Sequence, residues 1–163
     1  MSRHTIVRIF IGVSITIIAS VSALEHIYAG EVTNRIPMFE LQASFKDGKI
    51  AIPLQTLKEK KLVRFIYSEK GKDLPLLGYI SPSGKIVTAV SICEPCRSTY
   101  FFISGRRLVC KTCNTQWDLE TLKGISGACK EYPPVQLKNS LLGNEVQIDR
   151  ADVSGWTPRR VRR

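Results

Sequence analysis

Cys93-Glu94-Pro95-Cys96 and Cys110-Lys111-Thr112-Cys113 enclose the stretch Tyr100-Phe101-Phe102-Ile103-Ser104-Gly105-Arg106-Arg107-Leu108-Val109. Two residues between cysteines let a tight turn aim both sulfurs at one point. Two such turns joined by a short hairpin close a tetrahedral four-sulfur site with metal–sulfur distances of about 2.3 Å. The enclosed stretch carries the hairpin, because Tyr100 to Ile103 and Leu108-Val109 flank the turn signal Ser104-Gly105-Arg106. The spacing therefore predicts a two-knuckle metal hairpin with Cys93, Cys96, Cys110 and Cys113 as ligands. Two disulfides, or a dithiol redox pair, are the other reading of the same four residues. Cys129 makes the cysteine count odd, which a simple disulfide framework does not accommodate. It reads as a fifth ligand, a redox partner or a buried small hydrophobe.

The rest of the composition narrows the chemistry. The chain has 163 residues, and its 24 Lys and Arg against 14 Asp and Glu give a formal charge of +10. Hydrophobic residues at 44% and charged residues at 23% exclude a largely disordered chain. The only histidines, His4 and His26, lie near the N-terminus. The body therefore cannot hold a Ser-His-Asp triad, a Cys-His dyad, a zinc-protease motif, a blue-copper site or a Rieske centre. No carboxylate pair stands out for acid–base work, since Asp118 and Glu120 read equally well as a surface pair. Gly124 to Gly127 lacks the lysine and strand context of a phosphate loop. Hydrolytic catalysis is not indicated, and a non-enzymatic metal-binding or electron-transfer role fits better.

Arg3 and Arg8 precede an uncharged run from Ile9 to Ala23 that Glu25 ends. A membrane-spanning helix wants roughly 17–25 apolar residues and a signal-peptide core about 7–15, so the run suits a signal peptide or a short anchor. Val21-Ser22-Ala23 and Ile27-Tyr28-Ala29 each fit a cleavage site. Residues 1–29 are accordingly expected to export the body to the periplasm or another extracytoplasmic space, cleaved or anchored by residues 9–23. A basic zinc-ribbon protein that binds nucleic acid would suit the charge, but the export segment argues against a nucleic-acid partner. The basic surface suits acidic partners or anionic lipid heads instead.

The body reads as mainly β. Short apolar runs (Leu41 to Phe45, Ile50 to Leu54, Leu62 to Tyr67, Leu76 to Ile80, Ile86 to Ile92) are separated by turn signals such as Asp47-Gly48 and Ser81-Pro82-Ser83-Gly84. Val135 to Leu137 and Val146 to Ile148 are weaker strands, Leu54 to Lys61 is the best helix, and Trp117 is expected in the core. Residues 30–39 read as a linker, 40–153 as the metal-binding domain and 154–163 as a basic tail, its four arginines in five residues predicting disorder.

From about Phe45 to Val153 the chain resembles the FtrD-like membrane iron–sulfur family. Ser83-Gly84-Lys85-Ile86-Val87 and Cys93-Glu94 with Cys96 stand for the family's first segments, and Tyr100-Phe101 for its aromatic pair. Leu108-Val109-Cys110-Lys111 with Cys113 matches the second cysteine pair, and Gly127-Ala128-Cys129 with Pro134-Val135-Gln136-Leu137 resembles the last segment. Arg97 stands where the family has Gly, Ala128 replaces another Gly, and Lys130-Glu131-Tyr132 displaces Asn-Pro. The membrane helices of larger relatives have no counterpart, so the resemblance is to the exported cysteine-rich domain. It implies an iron–sulfur cluster or a single iron or zinc ion, a role for Cys129 beside the other four, and work in electron transfer or iron handling beside a membrane permease or redox partner. A thiol–disulfide redox protein using the Cys-x-x-Cys pairs is the alternative. The expected architecture is a small, mainly β domain bearing a rubredoxin- or zinc-ribbon-like metal hairpin with four cysteine ligands.

Overall fold

A computed structural model describes residues 34–161. The export segment 1–29 and the first residues of the expected linker lie outside the described residues. Among the described residues no helix is long and apolar enough to cross a membrane.

The domain is mainly β. In chain order the elements are β1 (Arg35–Pro37), β2 (Phe39–Glu40), β3 (Ser44–Lys46), β4 (Lys49–Pro53), α1 (Leu54–Lys60), β5 (Leu62–Glu69), β6 (Lys72–Ile80), β7 (Ile86–Val90), β8 (Phe101–Ser104), β9 (Arg107–Cys110), β10 (Gln116–Asp118), β11 (Gly124–Ser126), β12 (Gln136–Leu137), β13 (Asn139–Leu142), β14 (Glu145–Asp149) and α2 (Arg150–Ser154). They form three sheets, ordered β1-β8-β9-β10-β11, β12-β7-β6-β5-β2 and β13-β14-β4-β3. Every pairing is antiparallel except β2 with β5.

The middle sheet carries a core on each face. Leu62, Leu77, Tyr79, Val87 and Ala89 point toward the cysteine-bearing sheet, where they meet Phe101, Ile103, Leu108 and Trp117. Val63, Phe65, Leu76 and Val90 point the other way and pack on Ile50, Ile52, Val146, Ile148 and Leu57 of α1. This explains why Leu62 to Tyr67 alternates imperfectly: a strand covered on both sides needs apolar residues at odd and even positions alike. Gly78 lies at a close approach within the second core, where an added Cβ would stand 3.2 Å from Ile52 Cδ1.

The local signals act as chemistry demands. Asp47-Gly48 and Lys70-Gly71 both take two consecutive positive φ angles, the geometry of the two-residue hairpin turns that join β3 to β4 and β5 to β6. Leu57 anchors α1, which Lys61 closes at φ 67° with its N–H donated to Leu57 O.

Two segments depart from the sequence expectation. Residues 35–37 and Phe39, expected within a linker, lie in edge strands: β1 joins β8, and β2, which also takes in Glu40, lies parallel to β5. At three and two residues they are too short to signal strands, and the edges they meet supply the pairing. In the basic tail, where Arg159 to Arg163 were expected to be disordered, the structure places the described residues against the body. Trp156 packs partly buried against the second core, and the Arg159 amide donates to Glu94 Oε1 at 2.8 Å. The arginine density that suggested a solvated tail includes one guanidinium with a buried carboxylate to meet.

Glu69, at the end of β5, clamps α2. It accepts from Ser154 Oγ at 2.6 Å, from Tyr67 Oη at 2.9 Å and from the Arg150 guanidinium. The Ser154 hydrogen bond, then those of Arg150 and Tyr67, bring its carboxyl from an ordinary 4.5 down to about 2. A depressed folded pKa gives stability that is present above the unfolded value and is lost as pH falls through the folded one. Acid titration followed by tryptophan fluorescence should therefore show α2 loosening between pH 4.5 and 2, and Glu69→Gln should remove that component. In the second core, Ile52→Ala is expected to cost about 2–5 kcal/mol in urea unfolding, with the m-value unchanged.

Candidate metal centre

Each Cys-x-x-Cys closes the same knuckle. In the first, the Cys93 amide donates to Ser98 O at 2.8 Å and the Arg97 amide returns to Cys93 O at 2.7 Å. In the second, the Cys110 amide donates to Thr115 O at 2.9 Å and the Asn114 amide to Cys110 O at 3.0 Å. The residue after the second cysteine has positive φ in both, 59° at Arg97 and 54° at Asn114. Asn tolerates this left-handed region, whereas Arg has no such compensation.

The β8–β9 hairpin brings the knuckles together. Its register sets Phe101 opposite Cys110, and the Lys111 amide continues the ladder to Tyr100 O at 2.9 Å. All four sulfurs lie within 4.8 Å of one another. Two close approaches cross between knuckles: Cys96 Sγ to Cys110 Sγ at 3.7 Å and Cys93 Sγ to Cys113 Sγ at 3.9 Å. All five cysteines are free thiols. The first cysteine of each knuckle is buried and the second is half-buried, so one edge of the set reaches the surface.

The sulfurs share protons unequally. Cys110 is brought down to about 4, chiefly by the hydrogen bond from the Cys93 thiol, with the Cys113 and Thr112 amides helping. Cys93 is pushed up, first by its hydrogen bond to Cys110, then by burial. Burial pushes Cys96 up to about 11 although the Ser98 amide opposes it. Four sulfurs this close cannot all ionise without a cation among them. The donor set is that of a soft or borderline metal such as zinc or iron.

Cys129 stands apart from this set. It is buried, its thiol borders Cys93 and adds to the upward push there, and its amide donates to Thr115 Oγ1 at 3.2 Å. Trp117 holds this segment, donating from Nε1 to Lys130 O at 3.0 Å while its ring meets Phe101.

Sequence reasoning missed three supports. Thr115 is fully buried and ties Cys113 Sγ, at 3.2 Å, to the Cys129 amide. Gly127, at φ 97°, passes so near that an added Cβ would stand 2.5 Å from Thr115 Oγ1. Glu94, inside the first knuckle, is buried against the Arg159 guanidinium. One signal was available: Ser98 and Thr115 both stand two residues after the second cysteine of their knuckle, and both are buried.

The sequence pattern of the FtrD-like membrane iron–sulfur containing proteins matches residues 57–159. The chain belongs to the FtrD-like family. Among solved structures, a ferredoxin from Sphingomonas yanoikuyae B1 is similar over 51% of this chain and 79% of its own, at 20% identity and a TM-score of 0.40. No curated protein matches. The family and the four-sulfur cluster together make this an iron–sulfur or metal-ion site.

The strain at Arg97 is testable. The side chain is exposed, so Arg97→Gly removes the cost of the left-handed backbone without removing packing. Thermal unfolding of the metal-free chain should show a gain of up to about 1 kcal/mol, offset partly by the greater freedom of glycine in the unfolded chain.

Proposed function

We propose that this FtrD-like protein is an exported or membrane-anchored metal carrier that passes single electrons in iron handling beside a membrane permease. The observation that carries the reading is the four-sulfur set with Cys96 and Cys113 half-exposed while Cys93 and Cys110 are buried. A bound iron would supply a one-electron couple. The chain's residues supply the rest. The knuckle amides of Thr112, Cys113 and Ser98 face the Cys110 and Cys96 sulfurs and favour thiolate there. The first core keeps water from Cys93 and Cys110.

The exposed edge suits an acidic partner. Arg97 and Lys111 are exposed on the two knuckles. A shallow cleft of roughly 380 Å³ beside the second knuckle is lined by Arg35, Met38, Tyr100, Phe102, Lys111 and Asn114, with no carboxylate. Its cations are held over rings: Arg35 over Phe102 at 5.1 Å, and Lys111 over Tyr100 at 5.9 Å. Such a surface attracts negative charge and accelerates encounter with it. The thiol–disulfide alternative has less support, because the sulfurs converge as one set of four and not as two separate Cys-x-x-Cys pairs.

The metal-loaded chain should show a reversible visible absorption change on reduction, and Cys93→Ser with Cys110→Ser should abolish both the change and the metal. At low salt an anionic oxidant such as ferricyanide should react faster than a cationic ruthenium complex. Arg35→Glu with Lys111→Glu should slow the anionic reaction about tenfold or more. An absorption spectrum that does not respond to reductant would overturn the electron-transfer reading.

A further inference from the structure

We infer that the four-cysteine site holds one metal ion and no inorganic sulfide, so that the iron–sulfur centre of this chain is the simplest kind, one ion in four thiolates. The inference rests on the metal-carrier reading and deepens it. Four sulfurs arranged tetrahedrally at about 2.3 Å from one ion stand about 3.8 Å apart along each edge. The two cross-knuckle approaches are 3.7 and 3.9 Å. No pair among the four exceeds 4.8 Å.

A multi-iron cluster demands a different arrangement. Each iron takes only part of the cysteine set, and sulfides bridging the irons fill the remaining positions. Cysteines on different irons then lie on opposite sides of that bridged core, farther apart than the edges of a tetrahedron round one ion. The set here leaves no space for such a core between its sulfurs.

The frame around the sulfurs resists opening. Cys93 and Cys110 are fully buried in the first core with Phe101 and Trp117. Cys110 is held in the β8–β9 ladder opposite Phe101, and Lys111 is bonded to Tyr100 O. The Cys93 amide is bonded to Ser98 O across the first knuckle. Spreading the knuckles to admit a bridged core would break ladder hydrogen bonds and expose this apolar contact. Cys129 is consistent with a filled tetrahedron. It borders Cys93 without joining the set, and its amide is engaged by Thr115. One ion with four thiolates has no position left for it.

The test is elemental analysis and acid-labile sulfide determination on the full chain, isolated without oxygen from cells supplied with iron and zinc. One iron or zinc per chain and no sulfide is the expected result. Two or more irons with matching sulfide would overturn the single-ion inference and leave the metal-carrier reading standing. Zinc alone, one per chain, would support the single-ion inference and overturn electron transfer. A chain with no metal would overturn both. Cys129→Ser, with Cys129→Ala as a second variant should the first fail to fold, should keep one ion per chain. Loss of the ion from a folded Cys129 variant would overturn the ligand set.

Discussion

The antiparallel register of β8 and β9 is the constraint on which the site depends. It sets Phe101 opposite Cys110 and thereby returns the second knuckle to the first at sulfur–sulfur distances of 3.7 and 3.9 Å. Shifting a strand by one residue turns every side chain to the other face. Such a slip would carry Cys110 out of the core and separate the two pairs. The apolar alternation of this hairpin, with Phe101, Ile103 and Leu108 buried and Arg107 exposed, makes the register costly to change.

The middle sheet fixes where that hairpin can lie. Because β5, β6 and β7 are covered on both faces, the cysteine-bearing sheet has one apolar surface to pack on and the α1–β4–β14 layer has the other. The charged residues follow the same logic. Arg64 is nearly buried, and it is paired with Glu40 at 2.9 Å and stacked 4.5 Å over Tyr100. Glu94 is buried because Arg159 reaches it from the C-terminal segment. A buried charge is tolerated where a partner compensates its lost hydration, and each of these pairs also ties a peripheral segment to the sulfur site. The exposed cations Arg97 and Lys111 lie on the knuckles, where the proposed acidic partner would meet them.

Much of the site was legible in the residues. Cys93, Cys96, Cys110 and Cys113 announce themselves by spacing, because the geometry of a tight turn depends on local chain length alone. The Asp47-Gly48 hairpin and the Leu54 to Lys61 helix were legible for the same reason. Thr115, Gly127 and the Glu94–Arg159 pair were not, since each acts through a residue distant in the chain. The edge strands at 35–37 and 39–40 were hidden too, because each is only two or three residues long and its partner, β8 or β5, is distant in the chain.

The sequence by itself determined two knuckles, a hairpin between them and a mainly β body, since turns, alternation and cysteine spacing are properties of neighbouring residues. Only the tertiary structure decided that four sulfurs converge within the compass of a single ion while Cys129 stands beside them. The separation between the knuckles is a sum over strand register, packing on the middle sheet and the Thr115 bridge. The register is local to the hairpin, but the packing and the Thr115 bridge join residues distant in the chain, so no one stretch encodes the sum.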